Sequence, residues 1–158
     1  MTGFTHLTTD GNAQMVDISD KAQTRRIAIA KGHVKVSQDT IDKITAQGFA
    51  KGDVLSIAQL AGIMGAKQTS QLIPLCHPIP LSKVNVALDI NNDTQAIDIT
   101  AECHSTGQTG VEMEALTSVS IAALTVYDMC KSIDKAMQIS DIRLIHKSGG
   151  KSGDFNGA

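Results

Sequence analysis

The sequence predicts a single α+β domain in which helices cover one face of an antiparallel, ferredoxin-like sheet. Segments that alternate apolar and polar residues, typical of half-buried strands, are separated by segments with helical periodicity, in the order β-α-α-β-β-α-β. Two neighbouring strand segments are joined by Asn91-Asn92-Asp93-Thr94, which is a hairpin signal. The 158 residues are enough to bury one sizeable core, so the whole chain, 1–158, is expected to form that one domain.

The first half of the chain predicts one strand, two helices and an irregular loop, over residues 26–36, 38–47, 54–67 and 74–80. Ile and Val alternate through the strand, and a bulge is expected at Gly32. Ser37 and Asp53 precede the helices and belong to the residue types that cap helix N-termini, while Gly48 is suited to end the first helix. Three prolines exclude regular structure from the loop.

The second half predicts a hairpin, a long helix and a last strand, over residues 84–90, 96–100 and onward, 110–135 and 139–146. The helix presents one broad stripe of apolar or small residues, at positions 111, 115, 116, 119, 122, 123, 126, 130 and 133. This stripe predicts a buried helix whose apolar middle holds an assembly together. The polar residues 1–14 are expected to form a flexible arm, and the Gly/Lys-rich residues 147–158 a mobile tail.

Composition argues against several classes of function. A net charge of −2 without a basic run, and an aromatic content of 3% without Trp, argue against nucleic acid as a partner. No apolar run approaches the ~20 residues that a membrane span needs, and no signal-peptide pattern opens the sequence. The odd number of cysteines, three, suits a reducing compartment, so we expect a cytoplasmic protein.

An acid and a base lie about one turn apart on the long helix. Asp128 and Lys131 are three residues apart and therefore share one face. Held together on a mostly apolar helix, the two groups favour proton-transfer chemistry. A plain ion pair near a helix end explains the same spacing, and the residues by themselves leave both interpretations open.

Two further carboxylates, Glu112 and Glu114, start the same helix. The helix dipole stabilises acids there without any function, so a ligand role and a structural role stand side by side. Glu114 and Asp128 are 14 residues apart, which is roughly 21 Å along an α-helix, so one small ligand cannot touch both from a single helix. If both act on one ligand, the site combines opposite ends of the helix from two subunits, which predicts a homo-oligomer with interfacial sites.

Three other segments carry candidate binding groups. Lys51 precedes a helix N-terminus, where backbone N–H groups favour anions, and His77 lies between prolines. The tail with Lys147 and Lys151 fails the Walker pattern, because Ile145 stands where a glycine is needed, but it suits a flexible clamp on phosphate. Each binding role has a structural alternative: Lys51 as a solvated turn lysine, His77 as a structural histidine, and the tail as a disordered C-terminal segment.

A metal site assembled from Cys76, His77, Cys103 and His104 would indicate a metal-dependent hydrolase or deaminase. Neighbouring residues in a strand point to opposite faces, so each Cys-His pair offers only one ligand easily. Buried cysteines without a metal are therefore favoured. A small-ligand binding or regulatory module is a further alternative, but such a module needs no charged pair on an apolar helix.

Four motifs stand in order along the chain: Leu72-Ile73-Pro74-Leu75-Cys76-His77-Pro78, Thr-Gly-Val-Glu-Met-Glu-Ala-Leu over 109–116, Tyr127-Asp128-Met129-Cys130-Lys131, and Lys-Ser-Gly-Gly-Lys-Ser-Gly-Asp-Phe over 147–155. Together they closely resemble the cyclic pyranopterin monophosphate synthase family, the C-type proteins of molybdenum cofactor biosynthesis. Met15-Val16-Asp17-Ile18 and Lys51-Gly52-Asp53 fit too, so the resemblance covers nearly the whole chain. Gln108 departs from the resemblance, which leads us to expect lysine there in many relatives.

The resemblance implies a lyase that converts 3′,8-cyclised dihydro-GTP to cyclic pyranopterin monophosphate with loss of pyrophosphate. A radical S-adenosylmethionine GTP cyclase would be its functional partner and would make the substrate. The resemblance also implies a homohexamer, a trimer of dimers with the active site at the dimer interface. No cofactor is required on this basis, and Mg²⁺ bound to the triphosphate or the pyrophosphate is compatible with it.

The resemblance also assigns roles to residues. Asp128 and Lys131 correspond to an acid/base pair, with Lys51 as a further catalytic lysine. The substrate-binding segments contain Leu75, Cys76, His77, Glu112, Met113 and Glu114. The cationic groups that face the triphosphate correspond to Arg26, Lys147 and Lys151. These residue types suit the chemistry, because fixed cations stabilise an expelled pyrophosphate and carboxylates accept from the N–H groups of a guanine-derived edge.

Overall fold

The structure is a computed structural model that describes residues 5–46 and 53–157. Its elements are the strands β1 (Thr24–Lys35), β2 (Leu81–Asn91), β3 (Ala96–Gly107), β4 (Gln138–Ser148) and β5 (Phe155–Asn156), and the helices α1 (Gln38–Thr45), α2 (Val54–Lys67), α3 (Thr69–Leu72) and α4 (Glu112–Cys130). The strands form one antiparallel sheet in the order β2-β3-β1-β4-β5. Helices pack against this sheet, so the predicted ferredoxin-like α+β class is confirmed.

One face of the sheet carries the core. In β1, Ala28, Ala30 and Val34 are fully buried, and the antiparallel register sets Ala30 opposite Ala101 of β3 on the same face. Every second residue of a strand points to this side, because side chains alternate between the two faces. Burial of these side chains under the helices stabilises the fold by about 25 cal/mol for each Å² of apolar surface.

The helices α2 and α4 lie side by side on the core face. Gly65 of α2 makes their contact close, since a Cβ there would lie 2.8 Å from Cγ1 of Ile121 in α4. In the middle of α4, Val119, Ala122 and Val126 are fully buried within the chain itself. The stripe therefore packs inside its own subunit, and the role of this helix in holding an assembly together stays a prediction.

The long helix ends earlier than its hydrophobic pattern predicts. α4 stops at Cys130, and Ile133, which the pattern placed in the apolar stripe, is 39% exposed. The reason is Asp134, whose buried carboxylate accepts hydrogen bonds from Ser37 N at 2.7 Å and from Thr40 Oγ1 at 3.2 Å. This anchor draws the chain to the start of α1, so the helix cannot continue.

The other face of the sheet is polar, as the sequence predicts. Glu102 accepts a hydrogen bond from Lys83 Nζ at 2.9 Å, and its Oε1 atom is 2.5 Å from His104 Nε2. The neighbouring residue Cys103 is fully buried on the core face. Cys103 and His104 therefore lie on opposite sides of the sheet and cannot bind one metal ion together. The part of the chain that the structure describes contains no group of three or more side chains suited to hold a metal.

The bounds of the other elements differ from the prediction by a few residues. The last predicted strand extends to Ser148, and α3 and β5 are additional to the predicted elements. The first predicted helix ends at Thr45, and its expected end at Gly48 lies outside the described residues, as does Lys51. The mobility of the arm and of the tail stays a prediction. Within the described ranges, no helix is long and apolar enough to cross a membrane.

Candidate active site

A pocket of about 900 Å³ lies where the start of β1 meets the turn before α4 and the end of β4. Four cationic residues line it: Lys21, Arg26, Lys147 and Lys151. All but the first were predicted to face a triphosphate. Three acidic residues also line the pocket: Asp17, Asp20 and Glu112. The fold thus brings residues from distant parts of the sequence to one concave site.

Arg26 connects the two glycine turns of the pocket. It is 9% exposed, and its guanidinium donates from Nε to Gly107 O at 3.3 Å and from Nη1 to Gly149 O at 3.2 Å. Gly149 and Gly150 have φ values of 90° and 84°, and a Cβ at Gly150 would overlap Arg26 Nη1. Only glycine tolerates both the backbone conformation and the close approach, so the Gly-Gly pair is required for this contact.

Lys147 and Glu112 form an ion pair at the wall of the pocket. Lys147 Nζ donates to Glu112 Oε1 at 3.0 Å, and the two side chains are 31% and 28% exposed. The register sets Lys147 opposite Ala28, which puts it on the core face beside the start of α4. Among the described residues no side chain caps α4 at Val111. The first backbone N–H groups of the helix therefore add positive charge to that of the lysine.

Glu114, two residues further along α4, is buried in the fold. It is 3% exposed, and its Oε2 atom has no hydrogen-bond partner within the described residues. Burial raises the pKa of Glu114 to about 7, and the negative charge of Glu112 contributes. Cys103 is close by, and burial together with the Glu114 charge raises the pKa of its thiol to about 12. Glu114 can therefore gain or lose a proton near neutral pH, although one of its buried oxygens has no hydrogen-bond partner among the described residues.

The proline loop before β2 is held next to β3. Ser105 Oγ donates a hydrogen bond to Pro80 O at 2.9 Å, and within the loop Cys76 N donates to Ile73 O at 3.1 Å. The three predicted substrate-binding residues of this loop are half-buried: Leu75, Cys76 and His77. Met113, which was predicted with them, is 37% exposed in the first turn of α4.

Electrostatic effects show that this loop is near Glu114 and near the pocket. Burial raises the pKa of Cys76, and the charge of Glu114 raises it further. Hydrogen bonds from Ser19 lower the pKa of Asp17, which lines the pocket, and His77 contributes to the same shift. The loop, Glu114 and the cationic pocket are therefore neighbouring parts of one region.

Asp128 and Lys131 lie at the opposite end of α4. Lys131 Nζ donates to Asp128 Oδ1 at 2.7 Å, so the predicted ion pair is confirmed, and this hydrogen bond raises the pKa of Lys131. The lysine and the aspartate are 55% and 64% exposed, so the pair lies at the solvent-exposed end of a helix whose middle is buried. Asp128 is about 24 Å from Glu112 along the helix axis. Within one subunit, the pair does not reach the pocket.

Lys21 and Ser105 could not be predicted from the sequence as site residues. Neither belongs to a motif, and Ser105 acquires its partner only because the register of β3 with β2 sets it opposite Leu81, next to the proline loop. Gln108 was noted only as a departure from the resemblance. Its side chain donates two hydrogen bonds across the mouth of the pocket, and the sequence contains no signal for contacts with backbone carbonyls.

Comparison with known proteins gives one consistent result. A family model described as the MoaC family matches residues 15–150. The chain is 58% identical over 153 residues to a protein of Rhodospirillum rubrum. The aligned region covers 97% of this chain and 92% of that protein. It is 56% identical over 155 residues to a protein of Dinoroseobacter shibae, and the aligned region covers 98% of each chain. It is 53% identical over 152 residues to a protein of Clostridium acetobutylicum, and the aligned region covers 96% of this chain and 94% of that protein. All three relatives are named cyclic pyranopterin monophosphate synthase.

Proposed function

The chain belongs to the MoaC family, and we propose that it is a cyclic pyranopterin monophosphate synthase of molybdenum cofactor biosynthesis. The proposed reaction converts 3′,8-cyclised dihydro-GTP to cyclic pyranopterin monophosphate and releases pyrophosphate, which makes the enzyme a lyase. A radical S-adenosylmethionine GTP cyclase supplies the substrate. A cytoplasmic location stays part of the proposal.

The observation that carries this proposal is a cationic pocket next to a buried carboxyl group. The substrate has a triphosphate at one end and a guanine-derived ring with several N–H donors at the other. Arg26 and Lys147 bring positive charge to the pocket, and the uncapped start of α4 adds partial charge. Glu114 has an unpaired buried oxygen close to the half-buried Cys76. The proposed substrate has groups that match both features.

Burial of Glu114 supports its use for ring recognition. An unpaired buried acceptor costs about 1–3 kcal/mol, and a ligand N–H group that reaches it recovers part of that cost. A carboxyl group with a pKa of about 7 can accept from a ring N–H when ionised and donate to a ring nitrogen when protonated. We place the ring edge against Glu114, with the proline loop residues Leu75, Cys76 and His77 around it.

We place the acid/base step on Asp128 and Lys131 of a second copy of the chain. The separation of about 24 Å along α4 excludes their action on a ligand that is bound at Glu112 of the same subunit. Lys51 is proposed as the further catalytic lysine. A homohexamer built as a trimer of dimers, with each site at a dimer interface, would bring opposite helix ends together. The ring rearrangement needs several proton transfers, and positioned lysine and aspartate side chains supply them.

The phosphate end of the substrate explains the cations. Closing the cyclic phosphate expels pyrophosphate, and fixed positive charges stabilise the charge that develops on it. Arg26 is held by two backbone carbonyls, so its guanidinium needs little reorganisation when the leaving group forms. The proposed mechanism requires no cofactor, and Mg²⁺ can enter with the triphosphate as part of the substrate.

The test is a direct assay. The purified protein is incubated with 3′,8-cyclised dihydro-GTP, and cyclic pyranopterin monophosphate and pyrophosphate are quantified by mass spectrometry and a coupled phosphate assay. We expect both products in equal amounts. Lys147→Gln should raise KM, whereas Lys35→Gln, at an exposed position at the far end of β1, should leave the rate unchanged. Product formation no faster than in buffer would refute the proposed function.

A further inference from the structure

A short turn, which begins in the Met15–Ile18 segment and continues beyond it, forms one side of the pocket. We call residues 17–22 the strap. Asp17 Oδ1 accepts hydrogen bonds from Ser19 N at 2.9 Å and from Ser19 Oγ at 2.6 Å, and Lys21 N donates to Ile18 O at 3.0 Å. These bonds give the strap a defined shape of its own. They do not attach it to the rest of the fold.

Gln108 attaches the strap. Its Nε2 atom donates to Ser19 O at 3.0 Å and to Lys21 O at 3.0 Å, so one amide group uses both of its N–H bonds on the strap. Within the described parts of the chain, both hydrogen bonds between the strap and the rest of the fold come from this side chain. Gln108 directly follows Gly107, whose carbonyl accepts from Arg26. The strap and the buried arginine are therefore held by neighbouring residues of one turn.

The strap brings a cation to the pocket that differs from Arg26 and Lys147. Those two are engaged, the arginine with backbone carbonyls and the lysine with Glu112. Lys21 lines the pocket from an exposed position, and its ammonium group makes no hydrogen bond or ion pair with any described residue. Without Lys21, the lining has three cationic and three acidic residues, and with it the balance becomes positive. The strap also brings Asp17 and Asp20 to the lining, so Lys21, together with Lys151, contributes the positive charge that is not already paired and lets the lining attract an anion.

We propose that Lys21 binds the polyphosphate part of the ligand and that Gln108 is a positioning residue that holds Lys21 in place through the strap. This inference rests on the proposed function, because it names a phosphate contact of the same site. Gln108 acts through donated hydrogen bonds, so a side chain with donors is needed at this position. A lysine has suitable donors, whereas a glutamate has only acceptors at neutral pH and would face two carbonyl oxygens.

The test uses the full-length protein and inorganic triphosphate, whose binding is measured by isothermal titration calorimetry. We expect Lys21→Gln and Gln108→Ala each to weaken binding by roughly tenfold, as for the loss of one charge-assisted contact. The double variant should be no weaker than Lys21→Gln by itself, because Gln108 acts through Lys21. Gln108→Lys should bind nearly as well as the unchanged protein and Gln108→Glu should not. The matched control is Lys35→Gln, which should bind normally.

Kinetics with the proposed substrate gives a second readout. Lys21→Gln and Gln108→Ala should raise KM while kcat stays within about twofold, since the polyphosphate contact is present before and during the reaction. Thermal melting of each variant shows whether it is folded, and rescue by Gln108→Lys separates positioning from a general loss of structure.

The possible outcomes separate this inference from the proposed function. Triphosphate binding that depends on Lys21 in a protein that forms no product would support the inference and refute the function. Product formation with triphosphate binding that is unaffected by Lys21→Gln would overturn the inference and leave the function standing. Additive losses in the double variant would show that Gln108 does not act through Lys21.

Discussion

The two ends of α4 carry similar charges in opposite environments. At the start of the helix, Glu114 is 3% exposed and one of its oxygens lacks a partner among the described residues. At the end, Asp128 is 64% exposed and is paired with Lys131 at 2.7 Å. The first end is enclosed by the strands β1 and β4 and by the glycine turns, and the second end is open to solvent. The difference shows that within one subunit the concave cationic pocket lies far from the Asp128–Lys131 ion pair.

The difference also determines what each end can do within one chain. The ion pair raises the pKa of Lys131, so in the isolated subunit this lysine is a proton donor at neutral pH and a poor base. Glu114 can exchange a proton near pH 7, but neither Asp128 nor Lys131, the predicted acid/base pair, lies close to it. The proposed mechanism uses both ends, and four experiments test or sharpen this comparison.

The largest effect is expected at the exposed end. Lys131→Ala should lower kcat by about 100-fold to 10,000-fold, the range for loss of a general acid or base, without changing the melting temperature or the oligomer. The matched control is Lys43→Ala, because Lys43 forms a similar exposed ion pair with Asp39 at 2.7 Å. If both variants have the same rate, the Asp128–Lys131 pair is only an ion pair.

Mixed oligomers test whether the two ends act from different subunits. Lys131→Ala and Glu114→Ala chains, each inactive by itself, are expressed together in equal amounts and purified as one unselected mixture. If random dimers form, about a quarter of the sites receive two intact ends, so about a quarter of the activity should return. Mixing Asp128→Ala with Lys131→Ala chains is the control, because both lose the same end. Activity that stays at background in the first mixture would place the whole site within one subunit.

A smaller effect is expected from the glycine contact at the enclosed end. Gly150→Ala puts a Cβ where Arg26 Nη1 lies, so the turn must move away and inorganic triphosphate should bind roughly tenfold more weakly. Gly153→Ala is the matched control: Gly153 also has a positive φ, of 71°, but a Cβ there meets no atom within 4 Å. Equal losses in the two variants would mean that backbone strain, and not the arginine contact, is responsible.

The smallest effect concerns pH and stability. The folded chain holds a proton on Glu114 up to a pKa of about 7, whereas the unfolded chain releases it near 4.5. Folding is therefore favoured by this group at low pH, and its contribution is lost as the pH rises from about 4.5 to about 7. Glu114→Gln, which cannot ionise, should gain stability relative to the unchanged protein over that window. Urea unfolding at several pH values measures this, and a constant difference would contradict the raised pKa.

Much of the fold could be predicted from the sequence, because its signals are local. The alternation that predicted strands appears as β1 and β3, with Ala28 and Ile99 buried on one face. Ser37 and Asp53 cap the helices that they were predicted to start. The long helix was predicted too long, since hydrophobic spacing carries no information about Asp134, whose partners are 94 and 97 residues away.

The candidate site could be predicted only in part. The resemblance indicated Arg26, Lys147 and Glu112, and the structure places all three at one pocket. Their roles stay predictions until the variants are measured. Lys21 could not be found, because its position depends on a turn that is attached by Gln108 from 87 residues further along the chain.

The sequence by itself determined the class of fold, the separation of Glu114 from Asp128 and the family, since periodicity, helix rise and ordered motifs are properties of the chain. Only the tertiary structure decided which of these charges is buried. Desolvation depends on what packs over each end of α4, and those neighbours come from strands and turns far away in the sequence. The two ends of one mostly apolar helix thus differ, because Glu114 at its start is buried and the Asp128–Lys131 ion pair at its end is exposed.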